Sequence, residues 1–268
     1  MSSQQLQFNF PKPSRPVAAL MIVIACLWVM FAMAMNWGDA GVGAFALFAG
    51  SSEALAGGQI WRLVTAALIH SPRNPMHALM VILLLYFFAP PLEERWGTKR
   101  LFAFLAGAAA LSFSVQSIVN LIAPSVAPTS TWHGGMGMAE AAAVAWAFGA
   151  RKQVVRLFFL IPVTPMVMVG LFAFWSVLSF IARTPSPEGM VTPLAALGAG
   201  YLLCDSSPLR QYYLKLRLHR IQTEVDTMTK RRSKAAVKRR AAASNLRVIP
   251  GGGADKDDKD PPKGSMLH

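Results

Sequence analysis

Long apolar runs separated by short polar stretches organise this chain. The runs are Ala18–Trp37, Met76–Pro91, Leu101–Ala123, Gly134–Ala150, Val154–Ala182 and Met190–Cys204. An α-helix needs about 20 apolar residues to cross a bilayer, so the pattern predicts six transmembrane helices. The second, fourth and sixth runs are short, and are expected to cross nearly upright or to thin the bilayer locally. The fold class is therefore all-α: a polytopic membrane protein, a six-transmembrane-helix bundle with a cytoplasmic C-terminal tail. Composition agrees. The 268 residues are 54% hydrophobic and 15% charged, with mean hydropathy +0.40. Those values suit a polytopic membrane protein rather than a soluble globule.

The pattern also predicts how the spans are joined. The connection from Gly38 to Pro75 is long and mixes Ala, Leu, Phe, Gly and Trp, which suggests a loop folded back onto the membrane surface. Trp61 and Arg62 within it are candidate interface anchors, an amphipathic ring and a charged fork. Gly137, Ala141, Ala145 and Gly149 recur every fourth residue in the fourth run, and Ala196 and Gly200 share that spacing in the sixth. Small-residue stripes let helix backbones approach closely, so these two helices are expected to pack together near the bundle centre. Pro162 and Pro165 remove backbone donors and predict an irregular or kinked start to the fifth span.

The net charge of +13 is distributed unevenly. Lys12, Arg15, Arg95, Lys99, Arg100, Arg151, Lys152 and Arg156 fall on one side of the predicted spans, with fifteen more Lys and Arg between Arg210 and Lys263. The other side carries only Arg62, Arg73 and Arg183. This bias places both termini in the cytoplasm of a multi-pass integral membrane protein, in the inner membrane if the source is bacterial. The first apolar run is of full span length and reads as an anchor rather than a cleaved signal. Four regions follow: a disordered lead (1–16), a membrane domain (17–205), a basic juxtamembrane helical tail (206–249) and a disordered C-terminus (250–268). In the tail, Leu209, Tyr212, Leu216, Ile221, Val225 and Met228 interleave with Arg and Lys, suiting anionic lipid headgroups. The tail lacks the aromatic interleaving expected of nucleic-acid binding. Cys26 and Cys204 have no neighbour at metal spacing, so neither a disulfide framework, a metal site nor a cofactor is expected.

Several short motifs stand in order along the spans. Gly58-Gln59-Ile60-Trp61-Arg62-Leu63-Val64-Thr65 lies in the long first connection. Leu68-Ile69-His70 precedes His77 at the head of the second span, and Glu93-Glu94-Arg95-Trp96-Gly97-Thr98-Lys99-Arg100 follows that span. Leu160-Ile161-Pro162-Val163 begins the fifth, and Trp132-His133-Gly134-Gly135-Met136-Gly137 opens the fourth. Together these resemble the rhomboid family of intramembrane serine proteases over roughly residues 15–205. The resemblance implies a rhomboid-like six-helix core. It also implies a serine nucleophile in a Gly-x-Ser-Gly turn on the fourth span, a histidine base on the sixth, and a His-x-x-x-Asn pair on the second that stabilises an oxyanion.

Carried over by position, the serine site is Met136, the base site is Pro193 and the Asn site is Val81. His77 alone of that set is retained. Serine hydrolysis needs a hydroxyl beside a base, and neither is present. The reading is a pseudoprotease, with no catalytic residue, that binds transmembrane segments of client proteins without cleaving them. The alternative is an active endopeptidase with a non-standard site. It would use His77, His133 and Glu140, converging on the cavity as a proton or metal site, or a relocated hydroxyl among Thr129, Ser130 and Thr131. Against it, these spacings form no known zinc pattern, and hydroxyls ahead of a helix more often cap it. A channel or transporter ranks last, because the chain shows no inverted repeat and few intramembrane charges.

Overall fold

A computed structural model describes residues 12–38, 40–150, 155–157 and 161–244. Most of the expected N-terminal lead, Arg151 and Lys152, Leu160, and the C-terminus from 245 onward lie outside the described residues. The chain forms two units, residues 1–214 and 215–268.

The first unit is almost wholly helical. α1 (Arg15–Trp37) is followed by α2 (Val42–Phe48), a two-residue strand β1 (Gly50–Ser51), α3 (Ser52–Ala56) and α4 (Arg62–Thr65). Then come α5 (Pro75–Trp96), α6 (Thr98–Ile122), β2 (Thr131–Trp132) and α7 (Met136–Gly149). A hairpin of β3 (Val155–Leu157) and β4 (Ile161–Val163) leads into α8 (Pro165–Ile181), α9 (Thr192–Leu203) and α10 (Pro208–Ser244). The starts have local causes. Ser14, Asn74 and Thr164 each accept a backbone N–H with their side chain, and a proline stands in the first turn of α1, α5 and α8. A proline there gives up only a donor that has no helical partner anyway.

α1, α5 and α6 are long and apolar enough to cross a membrane, while the apolar helices α7, α8 and α9 are shorter. Two boundaries differ from the sequence expectation. The second run does not stop at Pro91: α5 continues through Pro90 and Pro91 to Trp96, so it is not short. Proline inside a helix is tolerated in membranes where neighbouring groups satisfy the freed carbonyls. The fifth run is expected from Val154, which lies outside the described residues, and its helix starts later. Its first part is the β3–β4 hairpin, with Arg156 opposite Pro162, and the helix starts only at Pro165. The irregular start expected from the two prolines is present. Between α5 and α6 the chain turns on Gly97 at φ +78°, a conformation that favours glycine.

α7 is the axis of the bundle. Every residue from Gly137 to Ala139 and from Ala141 to Ala145 is buried. It packs most extensively on α9, as the small-residue stripes predict. A Cβ on Gly200 would lie 2.7 Å from the Ala141 carbonyl oxygen, and one on Gly137 would lie 3.3 Å from Thr192 Cγ2 and 3.5 Å from Ala196 Cβ. The stripe's last member departs from this partner, because Gly149 abuts the Arg95 side chain. Alanine and glycine on both faces thus replace a layer of side chains with backbone-to-backbone contact. Phe88, Phe104, Phe113 and Trp132 fill the larger spaces around this seam. α1 and α8 leave large apolar side chains such as Ile22, Met33, Phe174 and Trp175 exposed, as suits helices bordered by lipid.

Near the ends of α6 and α9 remote from the α7 N-terminus, one carboxylate ties two turns together. Asp205 accepts from Trp96 Nε1, Arg100 and Arg210, and the Arg100 guanidinium lies 4.8 Å from the centre of the Trp96 ring. The described part of the second unit is α10 from Lys215 to Ser244. Its described side chains are exposed, and Lys230, Arg231, Arg232, Lys234, Lys238, Arg239 and Arg240 give it a dense basic run.

The α7–α9 seam makes a direct prediction. Gly200→Leu must push the two backbones apart, and overpacking of a filled core typically costs about 1–3 kcal/mol. Thermal unfolding in detergent should show a clear loss of stability for Gly200→Leu. Gly198→Ala, where nothing lies within 4 Å, should change little.

Candidate functional site

The long first connection is folded rather than loose. β1 pairs with β2, Gly50 opposite Trp132 and Ser51 opposite Thr131, which binds this loop to the approach to α7. Ser52 adds a backbone N–H to the Ser130 carbonyl at 3.1 Å and a hydroxyl bond to Asn120 at 2.7 Å. Arg62 turns inward: its guanidinium donates to Gln59 Oε1 at 2.6 Å, to the Ala49 carbonyl at 2.6 Å and to the Ala46 carbonyl. Arg62 is thus a staple of the loop, while the Trp61 ring is exposed.

This folded loop presses on the start of α7. The Gly134 N–H donates to the Ala66 carbonyl at 2.8 Å, and Gly135 N–H donates to His70 Nε2 at 3.2 Å. To accept, Nε2 must be unprotonated, so His70 is neutral there. Burial pushes the His70 imidazole down to about 3, and the adjacent His77 adds to the effect. His133 is pushed to about 4, again by burial first and then by His77. Its ring meets Phe45 edge-on at 5.0 Å, and its backbone N–H donates to the Pro187 carbonyl at 2.9 Å.

The first residues of α7 have no capping side chain of their own, because Gly135 is the N-cap. Their N–H groups are satisfied from a distance. Glu188, in the connection between α8 and α9, accepts from Met136 N–H with Oε1 and from Gly137 N–H with Oε2 at 2.9 Å. The same Oε1 stands 3.5 Å from His77 Nε2, and the Glu188 side chain is 1% exposed. The positive end of a helix favours a carboxylate at this position. Glu188 is fixed in turn: its N–H donates to Ser186 Oγ at 3.3 Å, and its carbonyl accepts from the Thr192 hydroxyl at 2.6 Å. Gly134 lies at φ +129°, and a Cβ there would fall 2.4 Å from His77 Cε1 and 2.6 Å from Glu188 Oε1. Glycine is required by both the backbone angle and the space.

The Rhomboid domain model matches residues 57–204, from the loop before α4 to the end of α9, which is more than half of the chain. The chain belongs to the rhomboid family. No curated protein matches it. In this rhomboid, Met136 opens α7 and contributes the N–H that Glu188 Oε1 accepts. Val81 is fully buried in α5, and its Cγ1 would be 3.0 Å from a Cβ on Gly135. Pro193 stands in the first turn of α9, where the residue nearest Gly137 is Thr192.

Of the polar residues singled out from sequence, His77 is drawn to Glu188. Glu140 lies one turn deeper in α7, and its Oε2 has no hydrogen-bond partner among the described residues. Among those residues, no three His, Cys, Asp or Glu side chains are grouped to hold a metal ion. The hydroxyl residues ahead of α7 are engaged through their backbones: Thr129 accepts from Gln116 at 3.5 Å, Ser130 from Ser52, and Thr131 pairs in β2.

Sequence reasoning missed Glu188 and Asp205. A signal for Glu188 was available. A buried helix start with glycines where Ser, Thr, Asp or Asn would cap needs an acceptor from elsewhere. Glu188 is an acidic residue beside the last span.

His70 sets a pH dependence. Its folded pKa is depressed, so the stability gained by burying it neutral is complete above the ordinary value of 6.5 and declines as pH falls from there toward about 3. His133 adds to the decline in the same direction, toward about 4. The thermal midpoint of the purified protein should drop on acidification below 6.5, with His70→Gln flattening part of that drop. A midpoint unchanged by pH across this range would contradict the assignment.

Proposed function

We propose that this rhomboid-family membrane protein holds transmembrane segments of client proteins without cutting them. One observation carries the reading: the Glu188 carboxylate lies on the N–H groups of Met136 and Gly137. Acyl transfer needs a nucleophile activated by a base and free donors where negative charge develops. At the matching positions a thioether replaces the hydroxyl, a pyrrolidine ring replaces the imidazole and a valine replaces the amide. The backbone donors already face an anion, which would repel a second one. What remains is a bundle whose central helix is packed and whose polar pocket is occupied.

The membrane arrangement proposed with this reading has six spans and both termini in the cytoplasm. α7 has 14 residues and is about 21 Å long at 1.5 Å per residue. That is shorter than a hydrocarbon core of about 30 Å, which supports a polar pocket set below the membrane surface. In that arrangement the basic residues of α10 lie on the cytoplasmic side, chemically suited to anionic lipid headgroups.

The test uses the full chain in liposomes. A fluorogenic single-span substrate should remain uncut, and Met136→Ser should be equally inactive because no imidazole stands at Pro193 to activate it. A photo-crosslinker at Met136 should capture single-span proteins far more than one at Val237 in α10. Equal capture from both positions would defeat the binding reading, and substrate cleavage would defeat the non-proteolytic one.

The lipid contact has its own check. An environment-sensitive fluorophore at Val237 should shift to the blue in phosphatidylserine-containing liposomes and not in pure phosphatidylcholine, with the shift removed by high salt. No difference between the two lipids would contradict the proposal for α10.

A further inference from the structure

The turn that leads into α5 is built against the end of α1. Ser71, Pro72, Arg73 and Asn74 form it, with Asn74 N–H donating to the Ser71 carbonyl at 3.1 Å. Serine in the first place and proline in the second suit such a turn. Two α1 side chains fasten it. Trp28 Nε1 donates to the Ser71 carbonyl and Asn36 Nδ2 to the Pro72 carbonyl, each at 3.1 Å. Arg73 therefore rides on a fixed backbone while its side chain stays exposed.

A groove of about 540 Å³ lies between this turn and α1. Val29, Ala32 and Met33 give it an apolar wall, and Trp37 and Arg73 stand at its end. From Val29 to Trp37 the wall runs about 12 Å at 1.5 Å per residue. Val29, Met33 and Trp37 are exposed on a helix long and apolar enough to cross a membrane, so the groove opens toward lipid.

The charge at the end of the groove is uncompensated. Arg62 and Arg183, the other cations on its side of the predicted spans, are both engaged. Arg62 donates to the carbonyls of Ala46 and Ala49, and Arg183 donates to the Ser125 carbonyl at 3.4 Å. Arg73 has no hydrogen-bond or ion-pair partner among the described residues, and no Asp or Glu among them lines the groove. A guanidinium beside an apolar trough matches an amphiphile with a phosphate head and a hydrocarbon tail. Without a carboxylate, the groove has no counter-charge for a headgroup ammonium. It therefore favours a net-negative lipid over a zwitterionic one.

We propose that this groove binds one anionic phospholipid, with its phosphate on Arg73 and one acyl chain along Val29, Ala32 and Met33. The site stands apart from the start of α7 and depends neither on client holding nor on the absence of cleavage. In the six-span arrangement proposed above, the lipid comes from the outer leaflet.

The experiment reads Trp37 emission in the full-length protein. Nanodiscs of phosphatidylcholine carry a small, fixed fraction of phosphatidylglycerol. In one set the phosphatidylglycerol has brominated acyl chains, which quench nearby indoles; in the other an equal fraction of the phosphatidylcholine does. The Trp37 signal is the difference between wild type and Trp37→Phe. α10 carries no tryptophan, so lipid gathered on its basic run is silent. Brominated phosphatidylglycerol should quench Trp37 as though enriched about fivefold, the factor that one basic residue near anionic lipid is worth. Arg73→Gln should erase the preference, Arg73→Lys should keep part of it, and Arg183→Gln should leave it whole. Met33→Glu, which sets a carboxylate in the groove from an exposed position, serves if Arg73→Gln does not fold, and should erase the preference as well. Soluble glycerol phosphate should not relieve the quenching. Equal quenching by the two lipids in wild type would overturn the site, as would a preference that survives Arg73→Gln or Met33→Glu. Relief by glycerol phosphate would reduce the site to a bare anion contact and overturn the lipid assignment.

Discussion

A single carboxylate closes the N-terminus of the central helix, and the arrangement around it depends on that contact. Helix starts carry N–H groups with no intrahelical acceptor, and leaving a buried one unpaired costs about 1–3 kcal/mol. α7 begins on glycines and a methionine, so none of its own side chains can serve. Glu188 reaches across from the α8–α9 connection and satisfies two of these donors at once. Its position then determines its neighbours. His77 faces it, Gly134 must lack a side chain beside it, and Thr192 secures its backbone at the start of α9. His70 completes the set by accepting the Gly135 N–H.

That contact is possible because α7 and α9 are so close. With backbone meeting small side chains along the seam, the segment before α9 is delivered directly over the start of α7. The folded loop from Ala40 to Asn74 seals the opposite side, held by the β1–β2 pair and by Arg62 on the carbonyls of Ala46 and Ala49. Tight packing and polar satisfaction therefore have one geometric origin. Both features fall within the stretch that the Rhomboid domain model matches.

Much of this was legible in the residues. Apolar runs located the helices, the four-residue spacing of Gly137, Ala141, Ala196 and Gly200 forecast the α7–α9 seam, and Pro162 and Pro165 forecast a broken entry to α8. The motif order pointed to the family. Other features were hidden for physical reasons. Pro90 and Pro91 looked like a terminus because proline removes helical donors, yet α5 passes through them. The stretch from Val155 to Val163 looked like the start of a span because hydropathy does not distinguish a short antiparallel pair from a helix. Arg62 looked like a headgroup anchor, but its fork matches backbone carbonyls of its own loop. Glu188 was invisible to local spacing, since its partners lie 52 and 51 residues away, and only the uncapped glycine start of α7 signalled that an acceptor was needed.

The central claim is that this pocket holds an anion and presents no activated nucleophile. Labelling by a fluorophosphonate reads that chemistry directly, because the reagent bonds only to a hydroxyl that a neighbouring base has made nucleophilic. Intact-mass spectrometry of the full-length protein, treated in liposomes, should show no adduct. A stoichiometric adduct on any serine or threonine near the start of α7, Thr129, Ser130 and Thr131 foremost, would contradict the account.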